Sequence, residues 1–257
     1  MKILLALGLF LSALGTNGVL AANCSNATLK GTVITAARYT TASGAPAATM
    51  WMESWDGAGH LQFLETDSNG TATTAPYYGS GTYTVSADCV ATVLYSGGST
   101  PWVYYLDEDG KGYAWIFNQN TGAVGAGHAD LVSHELIVNA SAKKPGPCST
   151  QSLLGTMSFS VEKSASGAPT ASIGQEIYDG SGSLTYLQTD TDGLTTTPYS
   201  GTGTYSISSR CVASVYYDGT STDPFIYFVS PGGNAYWWIN NQNSGIVAAG
   251  KATRVGP

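Results

Sequence analysis

The chain has 257 residues, enough for two domains of ordinary size, and only 11% of them are charged. Its 32 glycines and 16 tyrosines, with many Ser and Thr, favour strands and turns over long amphipathic helices. A formal net charge of −7, with no basic cluster larger than Lys143-Lys144, argues against nucleic acid or an anionic membrane surface as a partner.

Residues 1–22 have the layout of a signal peptide: Lys2, an apolar run from Ile3 to Leu14, and the small-residue site Val19-Leu20-Ala21. The mature chain is then exported, with a charge of about −8 once Lys2 is removed. No later stretch approaches the roughly 18 apolar residues of a spanning helix, so no membrane span is expected.

The rest of the chain is one unit written twice. Gly81-Thr82-Tyr83-Thr84-Val85-Ser86-Ala87-Asp88-Cys89 returns as Gly203-Thr204-Tyr205-Ser206-Ile207-Ser208-Ser209-Arg210-Cys211. At offsets of 123 and 124 residues, against 122 for that segment, Asp56-Gly57-Ala58-Gly59 meets Asp179-Gly180-Ser181-Gly182 and Cys24 meets Cys148. The copies span residues 23–133 and 148–257, and residues 134–147, with Lys143-Lys144-Pro145-Gly146-Pro147, form a linker.

Within the first copy, strands are predicted over Leu29–Ala36, Thr49–Trp55, Leu61–Thr66, Gly81–Ser86, Val90–Tyr95, Val103–Leu106, Tyr113–Phe117 and Val124–Ala129. Turn signals separate them: Asp56-Gly57-Ala58-Gly59, Ser68-Asn69-Gly70, Ser96-Gly97-Gly98 and Glu108-Asp109-Gly110. The second copy gives the same eight. Successive hairpins make a meander that can close into an eight-stranded antiparallel barrel, so the expected fold is all-β with two tandem barrels. Two β-sandwiches are the alternative.

Four cysteines, two per copy at equivalent positions, pair most simply as Cys24–Cys89 and Cys148–Cys211. Each bridge closes a loop of more than 60 residues, worth about 4 kcal/mol on the chain-entropy account. Metal binding is the rival use, but the spacing is long and no His accompanies either pair, so no metal or cofactor is expected. Glycosylation sequons stand at Asn23, Asn26, Asn69 and Asn139.

These residues carry a resemblance. A glycine at the first strand (Gly31, Gly155), an aromatic-Asp-Gly-x-Gly hairpin, the Gly-Thr-Tyr-x-Val/Ile-x-x-x-Cys segment and a final Gly-x-Ala strand (Gly127-His128-Ala129, Gly250-Lys251-Ala252) resemble secreted calycin-type small barrels. Their relatives are allene oxide cyclase-like and lipocalin-like domains. The resemblance implies a barrel that binds small apolar molecules or carries out cofactor-free isomerisation or cyclisation, and cannot by itself choose between them.

The chemistry-bearing candidates are Glu53 and Glu176, acidic residues inside the second strand of each copy. Period-two alternation puts Glu53 on the face of Trp51 and Trp55, and Glu176 on that of Tyr178. If the aromatics face the lumen, each carboxylate has a raised pKa and can act as a general acid or base or hold a polar group of a ligand. If the strands are reversed, both are solvated surface groups. Trp51, Trp55, Tyr83, Trp115, Tyr178, Tyr205 and Trp238 are the candidate ligand-binding aromatics, with barrel filling as their other role.

No histidine is shared between the copies, and no nucleophile elbow, zinc helix, phosphate loop or dinucleotide fingerprint occurs. Three functions remain: binding of a small apolar or amphipathic molecule, cofactor-free isomerisation or cyclisation, and a non-catalytic surface or glycan-binding role with solid barrels. A cavity inside the barrel favours the first two. The pattern fixes no oligomeric state.

Overall fold

The computed structural model describes residues 23–107, 109–117, 122–138, 146–165, 168–218, 224–240 and 245–257. The signal-peptide stretch, Glu108 and Asn139 lie outside the described residues.

In the first copy the meander runs β1 (Lys30–Thr40), β2 (Pro46–Asp56), β3 (His60–Ser68), β4 (Tyr77–Val85), β5 (Val90–Tyr95), β6 (Trp102–Leu106), β7 (Gly112–Ile116) and β8 (Val124–Ser133). The second gives β9 (Leu154–Ala165), β10 (Ala168–Asp179), β11 (Ser183–Thr191), β12 (Thr196–Ile207), β13 (Val212–Tyr217), β14 (Phe225–Val229), β15 (Ala235–Ile239) and β16 (Ile246–Gly256). Every neighbour pair is antiparallel. Pairing of β1 with β8 and of β9 with β16 closes each sheet into a barrel, which rules out the sandwich. All eight expected strands of the first copy are present, and several run longer than predicted. Tyr77-Tyr78-Gly79-Ser80, for example, belongs to β4 because it pairs along β3 from Gln62 to Glu65.

The hairpins follow local chemistry. Asp56 Oδ1 accepts the N–H groups of Ala58, Gly59 and His60, which holds its carboxyl below the usual carboxylate range, and Asp179 repeats this at the β10–β11 turn. Gly79 in β4 admits the ring of Phe63: a Cβ there would stand 2.1 Å from it.

Each barrel is closed at one end. In the first, Trp55, Tyr83, Leu29, Leu61, Val93 and Leu106 are buried as a plug, and Cys24–Cys89 ties the N-terminal segment across it. Tyr83 donates its hydroxyl to the carbonyls of Asn26 (3.2 Å) and Leu29 (3.0 Å). Tyr205 does the same towards Thr150 (3.2 Å), beside Cys148–Cys211. Both disulfides pair as expected.

The barrels touch through different faces. Outward-facing Ile34, Ala48, Met50, Met52 and Leu64 of β1–β3 share one apolar cluster with Trp237, Ile239 and Val247 of β15–β16. Around it Arg38 pairs with Glu162 (3.2 Å), Lys251 with Asp130 (3.0 Å), and Arg210 donates to the Tyr78 hydroxyl (2.8 Å). Of the segment expected as linker, Ile137 and Val138 are buried on the first barrel, with their N–H groups bonded to Thr32 Oγ1 (3.0 Å) and Ser54 Oγ (2.8 Å).

Candidate functional site

Midway up each lumen sits a glutamate. Register fixes this: Glu53 pairs with Val33 and Phe63, and residues two apart on β2 share the lumen face. Glu53 is 1% exposed and Glu176 3%, so the solvated orientation does not occur.

Tyrosines surround each, two donating to Glu53 and three to Glu176, with one more behind them in both barrels. In the first barrel Tyr95 donates to Glu53 Oε1 and Tyr113 to Oε2. The Tyr104 hydroxyl lies 2.6 Å from that of Tyr95, and Trp51 Nε1 donates to the Tyr113 hydroxyl at 3.4 Å. In the second barrel Tyr217 donates to Glu176 Oε1, while Tyr178 (2.6 Å) and Tyr236 donate to Oε2. Tyr227 is bonded to Tyr217 as Tyr104 is to Tyr95. The rings of Tyr104 and Tyr113 stack with centroids 4.5 Å apart, as do those of Tyr227 and Tyr236.

Burial sets the electrostatics. It pushes the Glu53 carboxyl up to about 7, although hydrogen bonds from Tyr113, Tyr95 and Trp51 favour the charged form and pull the other way. Glu176 is raised for the same reason, against Tyr178, Tyr217 and Tyr236. Tyr95, Tyr104 and Tyr113 are held well above the ordinary phenol range, first by burial and then by the negative charge of Glu53, so they act as neutral donors.

Above each glutamate the lumen is open. The cavity of the first barrel is about 330 Å³ and is lined by Trp51, Phe63, Trp102 and Phe117 together with Glu53, Glu65 and Asp67. That of the second is about 420 Å³, and its wall includes Tyr186, Phe225 and Trp238 with Glu176, Lys163 and Asp190. Burial pushes Glu65 up to about 7, helped by the neighbouring charge of Asp67, and burial also raises Asp67.

The candidate aromatics divide by height. Trp51 and Trp238 line cavities. Trp55, Tyr83 and Tyr205 belong to the plug below, and Tyr178 lies in the second plug while its hydroxyl reaches Glu176. Trp115 is buried with its Nε1 donating to Thr35 Oγ1 (3.4 Å). Of the sequons, Asn23 and Asn69 are exposed, whereas Asn26 Oδ1 accepts the Val85 N–H (2.8 Å). His60 and His128 lie on the outer surface, each 3.1 Å from an aspartate, Asp56 and Asp107 respectively.

Sequence reasoning missed the roles of Tyr95, Tyr113, Tyr217 and Tyr236 at the carboxylates, and it missed Glu65 and Asp67. The signal for the tyrosines was their recurrence at equivalent positions of both copies.

Together these features define a tandem pair of closed eight-stranded antiparallel barrels, each with a buried carboxylate–tyrosine cluster below a cavity. No protein-family model matches the chain, and no curated protein is found to be similar to it. Among solved structures, an AttH-like protein from Nitrosomonas europaea is 9% identical, with a TM-score of 0.29, over 88% of this chain and 92% of that one.

Proposed function

We propose that this is an exported protein whose two barrels each bind a small amphipathic molecule, its apolar body against the aromatic wall and a polar group on the glutamate–tyrosine cluster. The observation that carries the proposal is the repeated arrangement itself: a cavity of ligand size in each barrel, aromatic over much of its wall and ending on a buried carboxylate whose tyrosine partners face the same space. Two disulfides fit an oxidising compartment. A solid barrel acting only through its surface would leave no such space.

Titration with the neutral fluorophore N-phenyl-1-naphthylamine tests this. Saturable binding with up to two sites per chain is expected, competed by other small amphiphiles. Absence of saturable binding to the folded protein would overturn the proposal.

A second reading, cofactor-free isomerisation or cyclisation, is favoured by one observation: Glu53 is poised near neutrality and linked through Tyr95 to Tyr104, a path along which a proton can move. For that chemistry Glu53→Gln would lower turnover by roughly 10² or more while binding persists.

A further inference from the structure

The two barrels share a floor but not a wall. By strand register, Tyr39, Trp51, Glu65 and Phe117 of the first barrel correspond to Lys163, Gly174, Gln188 and Asn240 of the second. These differences leave the first cavity more acidic and give the second a cation of its own, while Phe159, which stands where the first barrel has Thr35, keeps the second cavity aromatic as well. Asp67 and Asp190 are equivalent, yet only Asp190 has an internal counter-ion. Lys163 Nζ lies 3.2 Å from it, and Ser172 and Gln188 also donate to it.

In the first cavity Glu53, Glu65 and Asp67 share one space, and among the described residues that line it none is Lys, Arg or His. Carboxylates gathered in a low-dielectric space with no counter-ion are costly, and a guest that brings the counter-charge removes the cost. The rest of the wall also favours a cation: aromatic faces present negative potential, and seven aromatic residues line the cavity with the acids. Among the described residues no group of acidic, His or Cys side chains is arranged to hold a metal ion. A cavity of about 330 Å³ instead has room for a molecule.

We propose that the first barrel selects an organic cation, an ammonium or quaternary ammonium group on an apolar body, with its charge against Glu65 and Asp67 and its carbon skeleton against the aromatic wall, and that the second barrel lacks this selectivity. This rests on the ligand-binding reading above and adds to it the charge of the guest.

The test is calorimetric titration of the intact protein with benzyltrimethylammonium and with neopentylbenzene, its uncharged isostere. At pH 8 the cation should bind at least about tenfold more tightly than the isostere. Glu65→Gln alone should reduce that ratio. Glu65→Gln combined with Tyr39→Lys, which installs the residues of the second barrel, should bring it within about threefold, the isostere titrated alongside reading any loss of wall contact common to both probes. Circular dichroism verifies that the variants remain folded. The preference should fade between pH 8 and 5 as the acids take up protons, since the tyrosines facing them, Tyr39, Tyr77, Tyr95, Tyr104 and Tyr113, stay neutral throughout. Equal affinity for both probes, or a preference that survives in the double variant, overturns the charge assignment alone. Failure of both probes to bind overturns the binding reading with it.

Discussion

Glu53 should make the first barrel lose stability as the pH rises. In the unfolded chain its carboxyl titrates near the ordinary 4.5, and in the barrel near 7. Between those values the folded state binds more protons than the unfolded state, so the stability of the fold falls with increasing pH. The contribution is full below 4.5 and lost as the pH passes through 7. A difference of about 2.5 pH units at 1.36 kcal/mol each makes this about 3 kcal/mol from one side chain. Glu53→Gln removes the titration and keeps the shape. The new amide can donate to Tyr95, which then turns its own hydroxyl towards Tyr104, 2.6 Å away. Guanidinium unfolding of both proteins at intervals from pH 4 to 8 should show the wild type losing about 3 kcal/mol more than the variant across this window. Glu176, in the other barrel, contributes equally to both proteins and cancels, whereas Glu65, which the Glu53 charge also raises, is relieved in the variant and adds to the difference with the same sign. Parallel stability curves would refute the burial argument, because they would mean that Glu53 titrates as it does in water.

Three further outcomes follow from the packing. Replacing both Cys24 and Cys89 by Ala should cost about 4 kcal/mol, from a loop with a sequence separation of 65, seen as a lowered denaturation midpoint of the first barrel. Gly79→Ala should destabilise by roughly 1–3 kcal/mol and weaken ligand binding in the first barrel, because the added Cβ meets the Phe63 ring on the cavity wall; calorimetric melting and titration read the two effects. Met52→Lys puts a charge into the contact between the barrels. Small-angle scattering should show a more extended particle while near-ultraviolet circular dichroism keeps the signature of two folded barrels.

The barrel was legible because its hairpins are written in local chemistry. Asp56-Gly57-Ala58-Gly59 fixes a turn, and the parity of Trp51, Glu53 and Trp55 places all three on one face. Parity gives the side of a strand but not the height along the barrel, and height decides whether an aromatic plugs the floor, as Trp55 and Tyr83 do, or lines the cavity, as Trp51 does. The acids of β3 were hidden for a different reason. In Phe63-Leu64-Glu65-Thr66-Asp67 the alternation reads as an ordinary strand with its polar residues in water. Here both faces are covered: Leu64 joins the cluster shared with the second barrel, and Glu65 and Asp67 turn into the lumen.

That shared cluster also bears on how barrels of this kind can and cannot associate. The first barrel offers its β1–β3 face and the second its β15–β16 face, so the contact is head to tail, a geometry that does not close on itself and would let a third barrel add to either end. The free faces carry different residues. Where the covered face has Ile34, Ala36 and Met52, its free equivalent on the second barrel has Ser158, Ser160 and Gln175, and Ala114 stands on the first barrel where Trp237 anchors the second. Ile173 and Leu187, 60% and 59% exposed, stay apolar on that free face. The polar replacements act as end caps that let a sticky contact be used once inside the chain without becoming a fibre.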